Sequence, residues 1–420
     1  MVLLICPCAL ESILSPPPPR PAFSSIFFVI GTPATSPLRS RIYFWNTTMA
    51  PTNQAAWITE KGGKPLVVKS APYPSPEANQ IVIKNAAVAI NPMDWMLQLV
   101  GFLAFSWLKY PNIFGADMAG EVVEVGSGVK RFAVGDRVLA LGVGGDPDTN
   151  SSAQSTFQNY TIARDNLASQ IPDDMSFDKA VVLPLGLATA ASGLFQEDFL
   201  NLQWPTIPPQ KSTGKTLLVW GGSTSVGSNA VQLAAAAGYE VFSTSSPRNF
   251  EYVKKLGASY VFDYNSKTIA KDLVTALKGK QMAGALAVGP NSLPFCIDIL
   301  SKTEGVKFVT EIGGLTLPPD RDVTGLTLVS LILGTLWTNI SLRFKRAMTG
   351  VQSKFVWGSD LKKTDLGKAI FENFLPKALA EHKYIAAPEP QIVGHGLEYI
   401  QDAMNQQRKG VSAKKLVVTL

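Results

Sequence analysis

TLLVWGGSTSVGSNAVQLAAAAG, residues 216–238, is the stretch whose reading decides the fold. An apolar strand runs to Trp220, a Gly/Ser turn follows, and a helix of small residues begins near Thr224. A turn of this kind aims free backbone N–H groups at a pyrophosphate and sets the positive end of a helix behind it. Gly222 is read as permitting the tight turn, and Gly227 as allowing the helix to pack closely on the strand. Thr224 stands where the G-x-G-x-x-G pattern has its middle glycine, so the match is imperfect and needs its surroundings to carry weight.

Those surroundings agree. From Lys215 onward strands and helices alternate, the pattern of a parallel sheet with crossover helices. TLLVW, EVFST, YVFDY, AGALAVG and VKFVTEIG read as strands, and VQLAAAAG and FEYVKKLGA as helices. The second strand specifies the nucleotide. An NAD site wants an acid near its end for the ribose 2′-hydroxyl. Here the end reads Ser243, Thr244, Ser245, Ser246 and then Arg248, which suits a 2′-phosphate and predicts NADPH. An ordinary polar loop is the other reading.

Upstream, from Ala55 to about Val138, the chain is β-rich: LVVK, IVIKNAAVAI and AGEVVEVG are β-branched runs between Pro/Gly/Asn turns, and GDRV turns into a further strand. Residues 1–48 carry Pro16 to Pro19 and no periodic segment, so they read as a disordered leader or an upstream extension of the gene model. Hydrophobic residues make up 46% of the 420 and charged ones 17%, enough for two cores. The formal charge is +6, but the leader and residues 322–348 each hold +2 of it. No basic patch with interleaved aromatics is left, so nucleic acid is not expected as a partner. Three cysteines and two histidines provide neither a disulfide framework nor a ready zinc site, and they fit a reducing, cytoplasmic location.

GADMAGEVVEVGSGVKRFAVGDRV, VVLPLGLATAASGLF, the dinucleotide turn and LGASYVFDY together resemble the medium-chain dehydrogenase/reductase superfamily, most closely its fungal quinone-oxidoreductase-like branch with the trans-acting enoyl reductases. The resemblance covers about residues 52–321 and 351–420. It implies an α/β chain in which a GroES-like β-rich substrate domain (49–205) precedes a doubly wound parallel Rossmann domain binding NADPH (206–372), and residues 373–420 return to the first domain. The family's nucleotide contacts map onto Ser223, Thr224, Ser225 and Val226, and onto Ser246, Pro247, Arg248 and Asn249. Tyr264 resembles the tyrosine beside the adenosine phosphate, Val411 and Ser412 the late contacts to the nicotinamide end, and Asn91 and Asp94 of NPMDW the loop lining the nicotinamide. Asn91 shaping a turn before Pro92 is the plainer alternative.

Against zinc dehydrogenases the chain departs: Ala116 and Asp117 stand where they carry His-Glu, the loop lacks its cysteine, and no metal is expected. Without a Lewis acid, simple alcohols are poor substrates. The expected reaction is therefore NADPH-dependent reduction of an activated C=C bond or a quinone by hydride transfer. Asn91 and Asp94 serve as positioning residues, and water or a cleft hydroxyl is the candidate proton donor. A crystallin-like, non-catalytic NADPH-binding protein is the alternative. A G-x-S-x-G elbow is absent, which disfavours a hydrolase. The partner is a small-molecule substrate, with a polyketide synthase implied by the resemblance, and monomer and homodimer both stay open.

One stretch does not fit. GLTLVSLILGTLWTNISL, residues 325–342, is uncharged, too polar for a good membrane span and readable as an apolar interface loop. Roughly 25–30 residues here exceed an ordinary αβ connection, which predicts an insertion at about 322–348 from an imperfect gene model.

Overall fold

The computed structural model describes residues 51–313, 317 and 325–420; the expected leader lies outside them. Strands β1 (Asn53–Ile58), β2 (Val67–Ala71), β3 (Gln80–Ala89), β4 (Asn112–Ile113), β5 (Asp117–Val125), β6 (Arg137–Leu141), β7 (Tyr160–Arg164) and β8 (Ala168–Gln170) form the β-rich beginning, with helix α1 (Pro92–Ala104) leaving β3. The IVIKNAAVAI run is buried along nearly its whole length because it packs into separate clusters, Ile81 and Ile83 with Met118 and Val138, Val88 and Ile90 with Ile58 and Leu416, while β5 and β7 pair its edges. Two short helices, α2 (Phe177–Ala180) and α3 (Pro184–Phe195), then lead out of this half.

The alternation downstream becomes strands β9 (Lys215–Trp220), β10 (Glu240–Ser245), β11 (Tyr260–Asp263), β12 (Gln281–Val288), β13 (Glu304–Gly305), β14 (Phe308–Ile312) and β15 (Gln352–Phe355). All their pairings are parallel, in the order β11-β10-β9-β12-β14-β15 with β13 against β12. The order reverses between β9 and β12, and in such sheets a ligand crevice opens beyond the strand ends at that point. Helix α4 (Ser225–Ala236) starts there; α5 (Phe250–Lys255), α6 (Ile269–Ala276) and α7 (Ser292–Ser301) follow. The small residues of α3 and α4 let the two helices approach closely: a Cβ on Gly186 would stand 2.5 Å from Ser225 Oγ.

Strands β16 (Glu389–His395) and β17 (Lys414–Thr419) leave the parallel sheet and join the first one, in the order β16-β17-β3-β5-β6-β8. Val417 sits opposite Ala89, so the last described strand is an inner strand of the first sheet.

The segment after β14 corrects the sequence reading. Gly325–Thr349 is helix α8, not a loop, and β14 and β15 are parallel neighbours. Parallel neighbours need a crossover of a dozen residues or more, and α8 lies within the crossover that joins β14 to β15. Its C-terminal part is tied down by Lys345 to Asp298 (2.6 Å) and Arg346 to Ser353 (2.9 Å). Val329, Leu333, Trp337, Ile340, Phe344 and Met348 form an exposed stripe at helical spacing along it. Among the described residues, the stretch apolar and long enough to cross a membrane is instead Phe177–Phe195, and it is mostly buried in the core.

Candidate dinucleotide site and the turn beside it

At the end of β9 the left-handed residue is Gly221, with φ +83°, not Gly222. Gly222 is bare for a different reason: a Cβ there would stand 2.2 Å from Ser243 Oγ. Gly227 plays its expected part, since a Cβ would lie 2.1 Å from the Gly221 carbonyl oxygen. Thr224, in place of the middle glycine, caps α4: its hydroxyl accepts from the Gly227 N–H (3.0 Å) and donates to the Gly221 carbonyl (2.8 Å). First-turn N–H groups have no partner inside a helix, and Thr224 satisfies only that of Gly227. Those of Ser225 and Val226 remain, beside Ser223. The Ser225 hydroxyl is buried with no hydrogen-bond partner among the described residues. A bare glycine turn, free N–H groups and an orphaned hydroxyl fit a pyrophosphate.

The second strand needs correction. Ser243, Thr244 and Ser245 are buried and spent on the fold. Ser243 donates to the Val219 carbonyl (2.8 Å), Thr244 Oγ1 accepts from the Gly221 N–H (3.0 Å), and Ser245 donates to the Ser246 carbonyl (3.1 Å). What remains for a 2′-phosphate is Ser246, hydrogen-bonded to the Tyr264 hydroxyl (2.9 Å), and Arg248. Arg248 and Pro247 are exposed. Asn249, also in this loop, donates to the Ser412 hydroxyl (3.3 Å), which joins this loop to the C-terminal tail. Val411, next to Ser412, is exposed.

Asn91 is the N-cap of α1 and is buried, as is Asp94 one turn on. The Asp94 carboxylate accepts from the Asn91 backbone N–H (2.7 Å). Burial pushes Asp94 up to about 7, reinforced by Asp117 and opposed by Lys415 and by the N–H groups of Asn91 and Gly115. The Asn91 side chain is gripped on both sides: Nδ2 donates to Asp117 Oδ2 (2.8 Å) and Lys415 Nζ donates to Oδ1 (2.5 Å). Lys415 is also ion-paired with Asp117 at 2.8 Å, both side chains being almost fully buried. Asp117 Oδ1 accepts from the Leu185 N–H (2.6 Å) at the start of α3. Leu185 precedes Gly186, whose Cα faces Ser225, so this node adjoins the phosphate turn. Sequence alone points to Asn91 and Asp94, whereas Lys415 carries no signal of its own. Its partner Asn91 lies 324 positions away, and no local pattern links the two.

By the resemblance, Asp117 stands where zinc dehydrogenases carry the catalytic glutamate after their histidine. Its carboxylate is already engaged by Lys415, Asn91 and Leu185, and Ala116 beside it has no donor. Among the described residues no three His, Cys, Asp or Glu side chains gather to hold a metal. This donor set does not fit a catalytic zinc.

Residues 77–173 match the family described as the alcohol dehydrogenase GroES-like domain, and residues 225–346, a span that includes most of α8, match the zinc-binding dehydrogenase family. Over 370 residues the chain is 50% identical to dehydrogenase pigH of Monascus ruber, covering 88% of this chain and all of that one. It is 37% identical over 373 residues to trans-enoyl reductase himH of Aspergillus japonicus, covering 88% and 97%. The quinone oxidoreductase of Coxiella burnetii shares the fold with a TM-score of 0.59 at 23% identity, over 88% of this chain and 99% of that one.

Proposed function

The chain belongs to the medium-chain dehydrogenase/reductase superfamily, in its fungal enoyl-reductase branch, and from that premise we propose that it reduces an activated C=C bond, of an enone or enoyl thioester, or a quinone, with NADPH and without zinc. It is an oxidoreductase of the nicotinamide-dependent kind. The observation that carries the finer reading is the buried Asp117–Lys415 pair, where the resemblance would put the metal site of zinc dehydrogenases. With no Lewis acid to polarise an isolated alcohol or carbonyl, the favoured acceptor is one whose own conjugation spreads the incoming charge. A relative 37% identical to this chain is named a trans-enoyl reductase, which supports an enoyl substrate.

When bound, the cofactor supplies the hydride. The N–H groups of Ser225 and Val226, with the Ser225 hydroxyl, hold the pyrophosphate, and the dipole of α4 favours its charge. Ser246, Arg248 and Tyr264 take the 2′-phosphate, Arg248 being exposed and free to fold over it. Asn249 and Ser412 close the site from both domains. The node around Asn91 sets the floor at the reacting end, where a fixed donor is worth most against developing enolate charge. The test is NADPH oxidation with an enone, an enoyl thioester and a quinone, set against NADP⁺ reduction with a saturated primary alcohol. Turnover of the alcohol alone would overturn the proposal, and NADH binding as tightly as NADPH would overturn the cofactor assignment.

A further inference from the structure

We propose that Lys415 and Asp117 are positioning residues for hydride transfer, acting through Asn91, whose amide they lock so that one N–H is presented to an acceptor oxygen at the reacting end. This rests on the reading that the turn after β3 lines the nicotinamide. An asparagine amide has one acceptor oxygen and two N–H donors. Here the oxygen is taken by the Lys415 ammonium and one N–H by the Asp117 carboxylate, at 2.5 and 2.8 Å. A flipped amide would put NH₂ against an ammonium and a carbonyl against a carboxylate, two repulsions in a buried site where charges are weakly screened. The orientation is therefore fixed by charge, and the second Nδ2 hydrogen is what Asn91 has left to offer. A donor recognises an acceptor: the carboxamide oxygen of the nicotinamide, or the carbonyl oxygen of a conjugated substrate.

Asp117 and Lys415 also set where that donor stands. Asp117 is anchored to the first N–H of α3, which lies against the first turn of α4, and Lys415 comes from β17. Asn91 is thus referenced to the phosphate turn on one side and to the first sheet on the other. Both charges are already spent, on Asn91 and on each other, and Asp117 on the Leu185 N–H as well. They act through Asn91.

The experiment compares wild type with Lys415→Met and with Lys415→Met/Asp117→Asn. Urea denaturation, the affinities of NADPH and of adenosine 2′,5′-bisphosphate, and single-turnover hydride transfer to an enone are measured for each. Lys415→Met leaves a buried carboxylate without its cation and should be strongly destabilised; the double variant should recover much of that stability. Hydride transfer should drop about tenfold to a hundredfold in both, while affinity for the bisphosphate, which lacks the nicotinamide, stays within about twofold of wild type. A falling preference for NADPH over the bisphosphate assigns the acceptor oxygen to the cofactor; an unchanged preference with slow transfer assigns it to the substrate. Transfer that recovers along with stability in the double variant makes the pair merely structural and overturns the proposal, as does failure of both variants to fold. If wild type turns over none of the acceptors, the reductase reading fails. In that event an unchanged NADPH-to-bisphosphate ratio overturns the positioning role, and a lowered ratio upholds it.

Discussion

The two ends of the candidate site are built in opposite ways. The end proposed for the phosphates is seven consecutive residues, Gly221 to Gly227, shaped by backbone and by the absence of side chains. The other end is Asn91, Asp94, Asp117 and Lys415, drawn from a helix cap and its first turn and from two strands, across 324 positions of the sequence. A phosphate needs only N–H groups and a dipole, which any strand–turn–helix supplies once glycine clears the way. Orienting one amide needs charges on both sides of it, and buried charges are tolerated only when paired. The first end should therefore yield to steric changes and the second to electrostatic ones.

The severest way to break this contrast is to remove one charge. Asp117→Ala leaves the Lys415 ammonium buried and unpaired, and should cost about 3–5 kcal/mol in urea denaturation. A loss below about 1 kcal/mol would mean the node is wet and the contrast false. Gly227→Ala comes next. Its Cβ meets backbone, which cannot rotate away, so a loss of about 1–3 kcal/mol and weakened dinucleotide binding are expected together. Arg248→Ala should spare stability, since the side chain is exposed, and weaken NADPH but not NADH by about 1–3 kcal/mol in paired binding titrations. Equal weakening of both cofactors would detach Arg248 from the 2′-phosphate.

The finest probe is pH. Burial raises Asp94 from 3.8 to about 7, so the folded chain keeps a proton that the unfolded chain has lost. The stability tied to that proton is full below about pH 4 and drains away as pH rises toward 7. Asp94→Asn has no such loss. Its urea midpoint should gain on wild type between pH 4 and 7 and run parallel above; a constant difference across that window would place Asp94 in contact with solvent.

The same division explains what the sequence could disclose. The turn after Trp220, the strands TLLVW and EVFST and the helix after Thr224 are local, and their periodicity survives in the fold. Ser243 to Ser245 misled because hydroxyls at a strand end look poised for a ligand. In a strand covered on both faces they bond neighbouring backbone instead. The α8 segment reads as a loop because its place in the crossover between β14 and β15 follows from a parallel pairing no single segment announces. Lys415 was invisible for a related reason: its neighbours in sequence are ordinary strand residues, and its partners are Asn91 and Asp117.

That β17 lies inside the first sheet also sets a timetable for synthesis. Residues 53–170 leave the ribosome first, yet the Ala87–Ala89 edge of β3 waits for Val417 to Thr419 to cover it. Until then a row of unpaired backbone groups in an apolar strand is open to any passing chain. The whole parallel sheet is translated within that interval and can fold around α4 while its elder neighbour is still unfinished. A cell making this protein must shelter its first domain longer than its second.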